Sequence, residues 1–272
     1  MARAAGDQRR LIDALHLHGG LATNEGRYSA ARERYAQALE LARAIRDKVF
    51  ESVQLANLGE VERALGNYTA AKDMLETGLR LCRDAGATIF RAHFLGELGE
   101  IAVARDDAAT ALAFLAEGLP VAREIFNRDL EAWMNVVQGD AHLALGQLTD
   151  AATSYHHALR IHRELERTKE QLYAFGGLAQ VTAGLGNCEE ALAYVARIEA
   201  AVGEGIEPNG APGLLWACYK VLVTAKSPRA KDVLTRAHSL LTERAMLLEG
   251  ADRRTFLGSV PWHREIMKAR GR

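Results

Sequence analysis

One small residue returns every 40 positions along this chain, and this repeat constrains the fold more than any other feature. The slot holds alanine five times, at Ala31, Ala71, Ala111, Ala151 and Ala191. A second slot with the same spacing holds small residues at Gly19, Gly59, Gly99, Gly139 and Ala179. Fixed spacing over five cycles predicts an array of one repeated unit, whose function lies on an extended surface rather than in a single pocket.

The second cycle indicates what the unit is. Residues 48–65 carry apolar side chains two to four positions apart, which is the spacing of one face of a helix. Gly66 follows as a stop signal, and Asn67 can cap a second helix. Two antiparallel helices of this kind cannot bury their apolar faces alone, so we expect helical hairpins that stack side by side.

The residues at these slots resemble the tetratricopeptide repeat, in which W-x2-L-G-x2-Y is followed by A-x3-F. The second cycle carries this pattern as Leu55, Leu58, Gly59, Ala71 and Leu75. The family's usual period is 34 residues, and its closing proline slot holds arginine here, at Arg43, Arg83, Arg123 and Arg163. The resemblance implies an all-α fold, a right-handed α-α superhelix in which the first helix of each unit lines a concave groove.

The spacing divides the chain into four parts. Residues 1–203 hold five tandem hairpins of 40 residues, and residues 204–213 form a loop rich in glycine and proline. Residues 214–249 repeat the pattern less regularly, as a degenerate sixth hairpin. Residues 250–272 are expected to form capping helices and a basic tail, because a terminal unit must cover its apolar face.

The last part of the chain resembles the C-terminal tetratricopeptide region of bacterial multidomain regulators, which combine a signalling ATPase with an adenylate or guanylate cyclase domain or a DNA-binding domain. The resemblance is most specific in the sequence RRTFLGSVPWHR, from Arg253 to Arg264. The ATPase and cyclase residues of those regulators do not occur in this sequence. The resemblance therefore implies a sensor or docking module.

The 40-residue register also predicts an acidic groove on the first helices. Three carboxylates each follow the small slot by one position, and an amide takes the same place in the fifth unit: Glu60, Glu100, Asp140 and Gln180. A slot for larger side chains holds His93, Trp133 and Tyr173. We expect the carboxylates to accept cationic groups of a peptide, with Trp133 and Tyr173 as anchors. The alternative is a solvated helix face whose aromatic rings pack between helices.

Composition and motifs narrow the remaining classes of function. The formal net charge of −1 gives no reason to expect nucleic acid as a partner. The apolar stretches are too short for a membrane span, and three widely spaced cysteines favour a reducing cytoplasm over a disulfide framework or a zinc site. P-loop, HExxH and GxSxG motifs do not occur, so we expect no enzyme activity, no cofactor and no bound metal.

The expected function is therefore a non-enzymatic scaffold or sensor, whose partner is a protein or a peptide segment with basic side chains. One alternative is self-association through the first helix, whose leucines have no capping segment before them. The other alternative is a sensor of a small ligand or a peptide signal, which changes the curvature of the superhelix on binding.

Overall fold

The structure, a computed structural model, describes residues 2–206, 208 and 210–271, with side chains from residue 7 onward. Residues 1, 207, 209 and 272, which belong to the predicted first unit, loop and tail, lie outside the described residues. The described chain is all-α and consists of α1 (Ala2–Asn24), α2 (Tyr28–Ala44), α3 (Lys48–Leu65), α4 (Tyr68–Asp84), α5 (Thr88–Ala104), α6 (Ala108–Glu124), α7 (Arg128–Ala144), α8 (Leu148–Glu164), α9 (Thr168–Gly184), α10 (Cys188–Gly203), α11 (Ala211–Thr224), α12 (Ala230–Met246), α13 (Gly250–Ser259) and α14 (Pro261–Arg270).

The 40-residue period follows from two equal helices and two equal turns. Every helix from α4 to α9 has 17 residues, and three residues separate it from the next helix. Each of these turns contains one residue in the left-handed conformation, such as Gly146 at φ +71° and Gly186 at φ +84°. Glycine adopts this conformation without steric cost, which explains why one slot of the repeat favours it.

Small residues allow the two helices of one hairpin to touch. A Cβ atom on Gly59 would lie 2.8 Å from the Cγ atom of Leu75 and 3.4 Å from the carbonyl oxygen of Ala71. A Cβ atom on Gly19 would likewise lie 2.5 Å from the ring of Tyr35, and one on Gly139 would lie 2.6 Å from the ring of Tyr155. The repeated alanines are all fully buried, at Ala31, Ala71, Ala111, Ala151 and Ala191. A missing side chain on one helix thus makes room for a large one on its partner.

The arginines at the proline slot lie where a helix favours positive charge. They occupy the last turns of α2, α4, α6 and α8, at Arg43, Arg83, Arg123 and Arg163. The carboxyl end of a helix carries a partial negative charge, which a guanidinium stabilises. Arg43 and Arg123 also donate to Glu51 and Glu131 on the next helix, at 2.8 and 2.9 Å.

The odd-numbered helices lie on the inner side of the stack. Helix α5 contacts α7, α7 contacts α9 and α9 contacts α11, whereas successive even-numbered helices from α2 to α12 make no comparable contact within the described residues. Helices on the inner side of a curved stack approach one another most closely. The concave surface is therefore built from α3, α5, α7, α9 and α11.

The packing changes after α10. Up to α9, each hairpin packs on the second helix of the hairpin before it, but α11 packs mainly on α9 and only slightly on α10. The backbone N–H of Gly210 donates to the hydroxyl of Tyr173 at 3.1 Å and so attaches the intervening loop to α9. Helices α13 and α14 then cover α12, with Phe256 and Ile266 buried. The all-α solenoid class is confirmed, while the division of the chain at residues 203, 213 and 249 stays a prediction.

Candidate functional site

Three carboxylates of the predicted acidic series lie on the inner helices. Glu60 is on α3, Glu100 on α5 and Asp140 on α7, and each is half-buried. They occupy the same position in three consecutive hairpins, so they follow one another across the concave surface. We call this surface, with Arg63 and Glu97 described next, the inner acidic face.

An arginine pairs with two carboxylates of the inner acidic face. Arg63, in the last turn of α3, donates from Nε to Glu97 at 2.9 Å and from Nη1 to Glu100 at 2.9 Å. Burial acts to lower the pKa of Arg63, but Glu100, Glu97 and Glu60 together raise it above its usual value. One guanidinium therefore compensates part of the charge of three carboxylates, and an excess of negative charge remains.

Glu100 is the carboxylate most affected by its surroundings. A third of its side-chain surface reaches water, but protein surrounds it because it lies on the inner side of a curved stack. Burial is the largest cause that raises the pKa of Glu100, Arg63 opposes it, and the charges of Glu97, Asp140 and Glu60 add to it, so that the pKa is about 7. The proton affinity of Glu100 is therefore set near neutral pH.

Asp140 is connected to the packing of its own hairpin. The hydroxyl of Tyr155, a fully buried residue of α8, donates to Asp140 at 2.6 Å. Burial raises the pKa of Asp140 to about 6, although the Tyr155 hydrogen bond and the charge of Lys220 act in the opposite direction. Lys220 lies on α11, so the sixth hairpin contributes a cation near the acidic series.

Glu60 makes no ion pair or hydrogen bond with any described side chain. Burial and the neighbouring Glu97 raise its pKa, while Arg63 and His93 lower it. A half-buried carboxylate without a direct partner is stabilised by a proton or by a cationic group.

The predicted aromatic anchors pack against neighbouring helices and keep part of their surface exposed. The ring of Trp133 on α7 lies directly over Gly96 on α5, and its centroid is 5.9 Å from that of His93. Tyr173 accepts the hydrogen bond from the loop at Gly210. Gln180 donates to the backbone carbonyl of Gly176 at 3.3 Å. The alternative to a peptide anchor is packing between helices, and Trp133 makes such packing with part of its ring surface.

Sequence reasoning missed Arg63 and Glu97, although the register contained a signal for both. The slot of Arg63 holds uncharged residues in the other units, at Thr23, Val103, Leu143 and Ala183. The slot of Glu97 likewise holds Asn57, Val137 and Gly177. A charged residue at a slot that is uncharged in the other units, as at Arg63 and Glu97, indicates an interaction that is specific to that unit.

The residues that the structure describes form neither a metal site nor a membrane-spanning helix. No cluster of three or more histidine, cysteine or carboxylate side chains could hold a metal ion there. No described helix has the length and the apolar character needed to cross a membrane.

Comparison with known sequences identifies the first two hairpins. The sequence profile of the tetratricopeptide repeat family matches residues 10–84, which correspond to most of α1 and the whole of α2 to α4. No curated protein matches the chain.

Comparison with solved structures extends the similarity to nearly the whole chain. The apo form of RapI has a TM-score of 0.68 and 15% identity, with 96% of this chain and 97% of that chain covered. A Rap protein complexed with Competence and Sporulation Factor has a TM-score of 0.67 and 15% identity, covering 96% and 75%. A signal transduction ATPase of the STAND class with a tetratricopeptide repeat sensor, from Pyrococcus horikoshii, has a TM-score of 0.63 and 15% identity, covering 97% and 41%.

These TM-scores show a common fold, and the identities of 15% limit the likeness to the fold alone. The sequence of residues 10–84 matches the tetratricopeptide repeat family, and the described chain has the fold of a tetratricopeptide repeat solenoid.

Proposed function

We propose that this chain is a non-enzymatic scaffold or sensor that binds a peptide segment with basic side chains on its inner acidic face. The observation that carries the proposal is the position of Glu60, Glu100 and Asp140 on consecutive inner helices, where Arg63 offsets only part of their charge. A lysine or arginine side chain of a partner would supply the missing positive charge through charge-assisted hydrogen bonds. Trp133 and Tyr173 are proposed as apolar contacts beside them.

The structural neighbours support a peptide partner by analogy. The Rap conjugation gene regulator of the plasmid pLS20, which has the same fold with a TM-score of 0.68 and 12% identity, was solved in complex with the Phr* peptide. The similarity to a STAND ATPase sensor, together with the resemblance of residues 253–264 to bacterial regulators, supports a role in bacterial cytoplasmic signalling. Fold alone does not transfer a ligand, so the proposal depends on the side chains of the groove.

Binding of a cation to this surface is expected to be coupled to proton release. The pKa of Glu100 is about 7 and that of Asp140 about 6, so both carboxyls are partly protonated at mildly acidic pH. A cation binds the charged forms and lowers both pKa values. Affinity should therefore rise as the pH increases from 5.5 to 8.

A random heptapeptide library, selected on the immobilised protein at pH 8, tests the proposal. We expect the selected sequences to be enriched in lysine and arginine. The same library is then selected on a triple variant, Glu60→Gln, Glu100→Gln and Asp140→Asn, for which the enrichment should disappear. Equal basic content in the two selected pools would contradict the proposal.

A matched control removes three carboxylates from the second helices. Glu40, Asp73 and Glu189 are exposed on α2, α4 and α10, and their replacement by amides changes the net charge of the protein by the same amount. Selection on this control should give the basic enrichment of the unmodified protein. A loss of enrichment in the control would assign the effect to overall charge instead of the inner acidic face.

Self-association is a second candidate function, and the outer surface of α1 favours it. Leu11, Leu17 and Leu21 are 49%, 66% and 58% exposed on this helix. Leu17 and Leu21 are one helical turn apart, so their exposed side chains lie together, and an apolar patch of this kind is a candidate contact surface. Sedimentation equilibrium at high micromolar concentration tests this function, with Leu17→Glu and Leu21→Glu as the variant. A monomer under these conditions would eliminate it.

A further inference from the structure

The first and last parts of the solenoid are joined by an ion-pair network. The guanidinium of Arg32 on α2 donates to Asp252 on α13 at 2.8 and 3.2 Å, and to Glu62 on α3 at 2.6 and 3.1 Å. The hydroxyl of Ser29 adds a longer contact to Asp252 at 3.4 Å. Arg32 and Asp252 are 220 positions apart, whereas the units of a linear solenoid contact only their neighbours.

Close packing accompanies the charges. A Cβ atom on Gly66, in the turn after α3, would lie 2.9 Å from the Cβ of Ser259 and 3.3 Å from the carbonyl oxygen of Thr255 on α13. The rings of Tyr28 and Phe256 are tilted at a centroid distance of 6.4 Å. We call this contact of α13 with α2, α3 and the turn at Gly66 the closing contact.

The closing contact and the inner acidic face share one turn of α3. Glu62, which is 6% exposed, accepts from Arg32 on one side and from Asn67 at 2.7 Å. The next residue, Arg63, pairs with Glu97 and Glu100 in the groove. A displacement of this turn would therefore affect both networks.

Outside the closing contact, helix α13 is attached mainly to α14: the carbonyl of Phe256 accepts a hydrogen bond from Nδ1 of His263 at 2.6 Å, and the centroids of the two rings are 4.1 Å apart. Helix α13 buries only one side chain, Phe256, among the residues of its ten-residue span. It begins at Gly250, a residue at φ +52°, and the preceding residue, Glu249, is in an extended conformation. A short helix between such a joint and Pro261 can separate from α3 while α14 stays on α12.

We propose that α13 is a latch, which means a helix whose release opens the solenoid. The closing contact holds the first and last hairpins together in a closed contour. Its release opens one side of the groove to a partner that cannot enter along the axis of the superhelix. The ion pairs of Arg32 are partly exposed, at 32% for Arg32 and 22% for Asp252, so the latch is held by interactions that water and salt weaken. The closed contour does not depend on the proposed peptide, and its test requires no ligand.

Distance measurement between two spin labels tests the latch in the full chain. The labels are placed at Lys72→Cys on α4 and Arg254→Cys on α13, which are exposed positions outside the closing contact. Cys188, the exposed cysteine, is replaced by serine, and the buried Cys82 and Cys218 remain. We expect one short distance in this background and a roughly two- to fivefold larger fraction of long distances after Asp252→Asn.

The control variant is Asp129→Asn, which removes an ion pair of the same type between neighbouring units. Asp129 accepts two hydrogen bonds from Arg167, at 2.9 and 3.0 Å, and its loss should leave the distances unchanged. A second test variant, Ser259→Arg, introduces bulk where α13 approaches Gly66 and should also lengthen the distances.

Two results would overturn the latch. Identical distance distributions in the background, Asp252→Asn and Ser259→Arg proteins would show that α13 does not separate from α3. A loss of helical circular dichroism throughout the array in both test variants would show that the closing contact belongs to the core of the fold.

Discussion

Between α3 and α9 each hairpin packs on the second helix of the hairpin before it, whereas α11 packs on α9 and α13 reaches back to α3. The regular region is held by fully buried side chains such as Leu75, Leu115 and Tyr155. The closing contact combines the ion pair of Arg32 and Asp252 with the buried side chains of Phe256 and Val260. The comparison indicates that the regular hairpins are held mainly by apolar packing, whereas the contact between the ends adds a partly exposed ion-pair network to a small apolar contact.

The largest effect is expected from removing a ring of the regular region. Tyr155 is fully buried, packs on Gly139 and Gly177, and donates to Asp140. Tyr155→Ala leaves a cavity and an unpaired carboxyl, so the free energy of unfolding should fall by about 3–5 kcal/mol. Chemical denaturation measures this loss. Phe126→Ala, at a ring that is 87% exposed, is the control, and a loss below about 1 kcal/mol for Tyr155→Ala would refute the comparison.

Removing the buried ring of α13 should have a local effect. Phe256→Ala deletes the only side chain that α13 buries, so amide hydrogen exchange in residues 250–259 should accelerate by about tenfold or more. Exchange in α5 to α8 should stay the same, because those helices do not contact α13. Hydrogen exchange with mass spectrometry separates the two regions. Equal acceleration in both would show that the cap and the regular hairpins unfold together.

A change at the inner acidic face should alter the pH dependence of stability. The folded pKa of Glu100 is about 7, above the ordinary value of 4.5, so this residue contributes stability below pH 4.5 that is lost as the pH rises through 7. Glu100→Gln should remove this loss and make the protein more stable by about 1 kcal/mol at pH 8.

Thermal unfolding of the Glu100→Gln variant and of the unmodified protein at pH 5 and pH 8 checks that expectation. The difference in stability between the two proteins is compared, because the contributions of all other titrating groups cancel in it. Glu189→Gln, at an exposed position on α10, is the control and should follow the unmodified protein. A Glu100→Gln protein that is less stable than the unmodified protein at pH 8 would show that pairing with Arg63 outweighs burial.

The smallest effect concerns a turn of the regular region. Asp106 takes a position that glycine holds in the other cycles, and its φ of +62° is unfavourable for a side chain. Asp106→Gly should therefore stabilise the protein by roughly 0.5–1 kcal/mol. The denaturation midpoint measures the change, and Asp107→Gly, which removes a cap hydrogen bond to Thr110 at 3.2 Å, should shift it in the opposite direction. A lower midpoint for Asp106→Gly would contradict this account of the turns.

The hairpins could be predicted from the sequence because their contacts lie within one 40-residue period. Gly59 and Leu75 are close along the chain, and each repeat presents the same pair again. The closing contact could not be predicted in this way. Whether Arg32 meets Asp252 depends on the rotation accumulated over all hairpins and on the altered packing of α11. A pattern within one repeat does not contain this information.

The sequence likewise predicted one part of the candidate site and missed another part. The register placed Glu60, Glu100 and Asp140 on inner helices, because residues at one slot share one face. It did not reveal that Arg63 bridges Glu97 and Glu100, since that pairing joins two neighbouring hairpins through unique residues. Repetition predicts the scaffold, and departures from repetition determine the electrostatics of the groove.

The most direct test of the proposed groove is the affinity of one library-selected basic peptide, labelled with fluorescein and measured by fluorescence anisotropy. At pH 8 we expect the variant Glu60→Gln, Glu100→Gln, Asp140→Asn to bind it at least about tenfold more weakly than the unmodified protein does. The outer control with amides at Glu40, Asp73 and Glu189 should bind within about twofold of the unmodified protein. Equal dissociation constants for all three proteins would contradict the assignment of the inner acidic face as the binding surface.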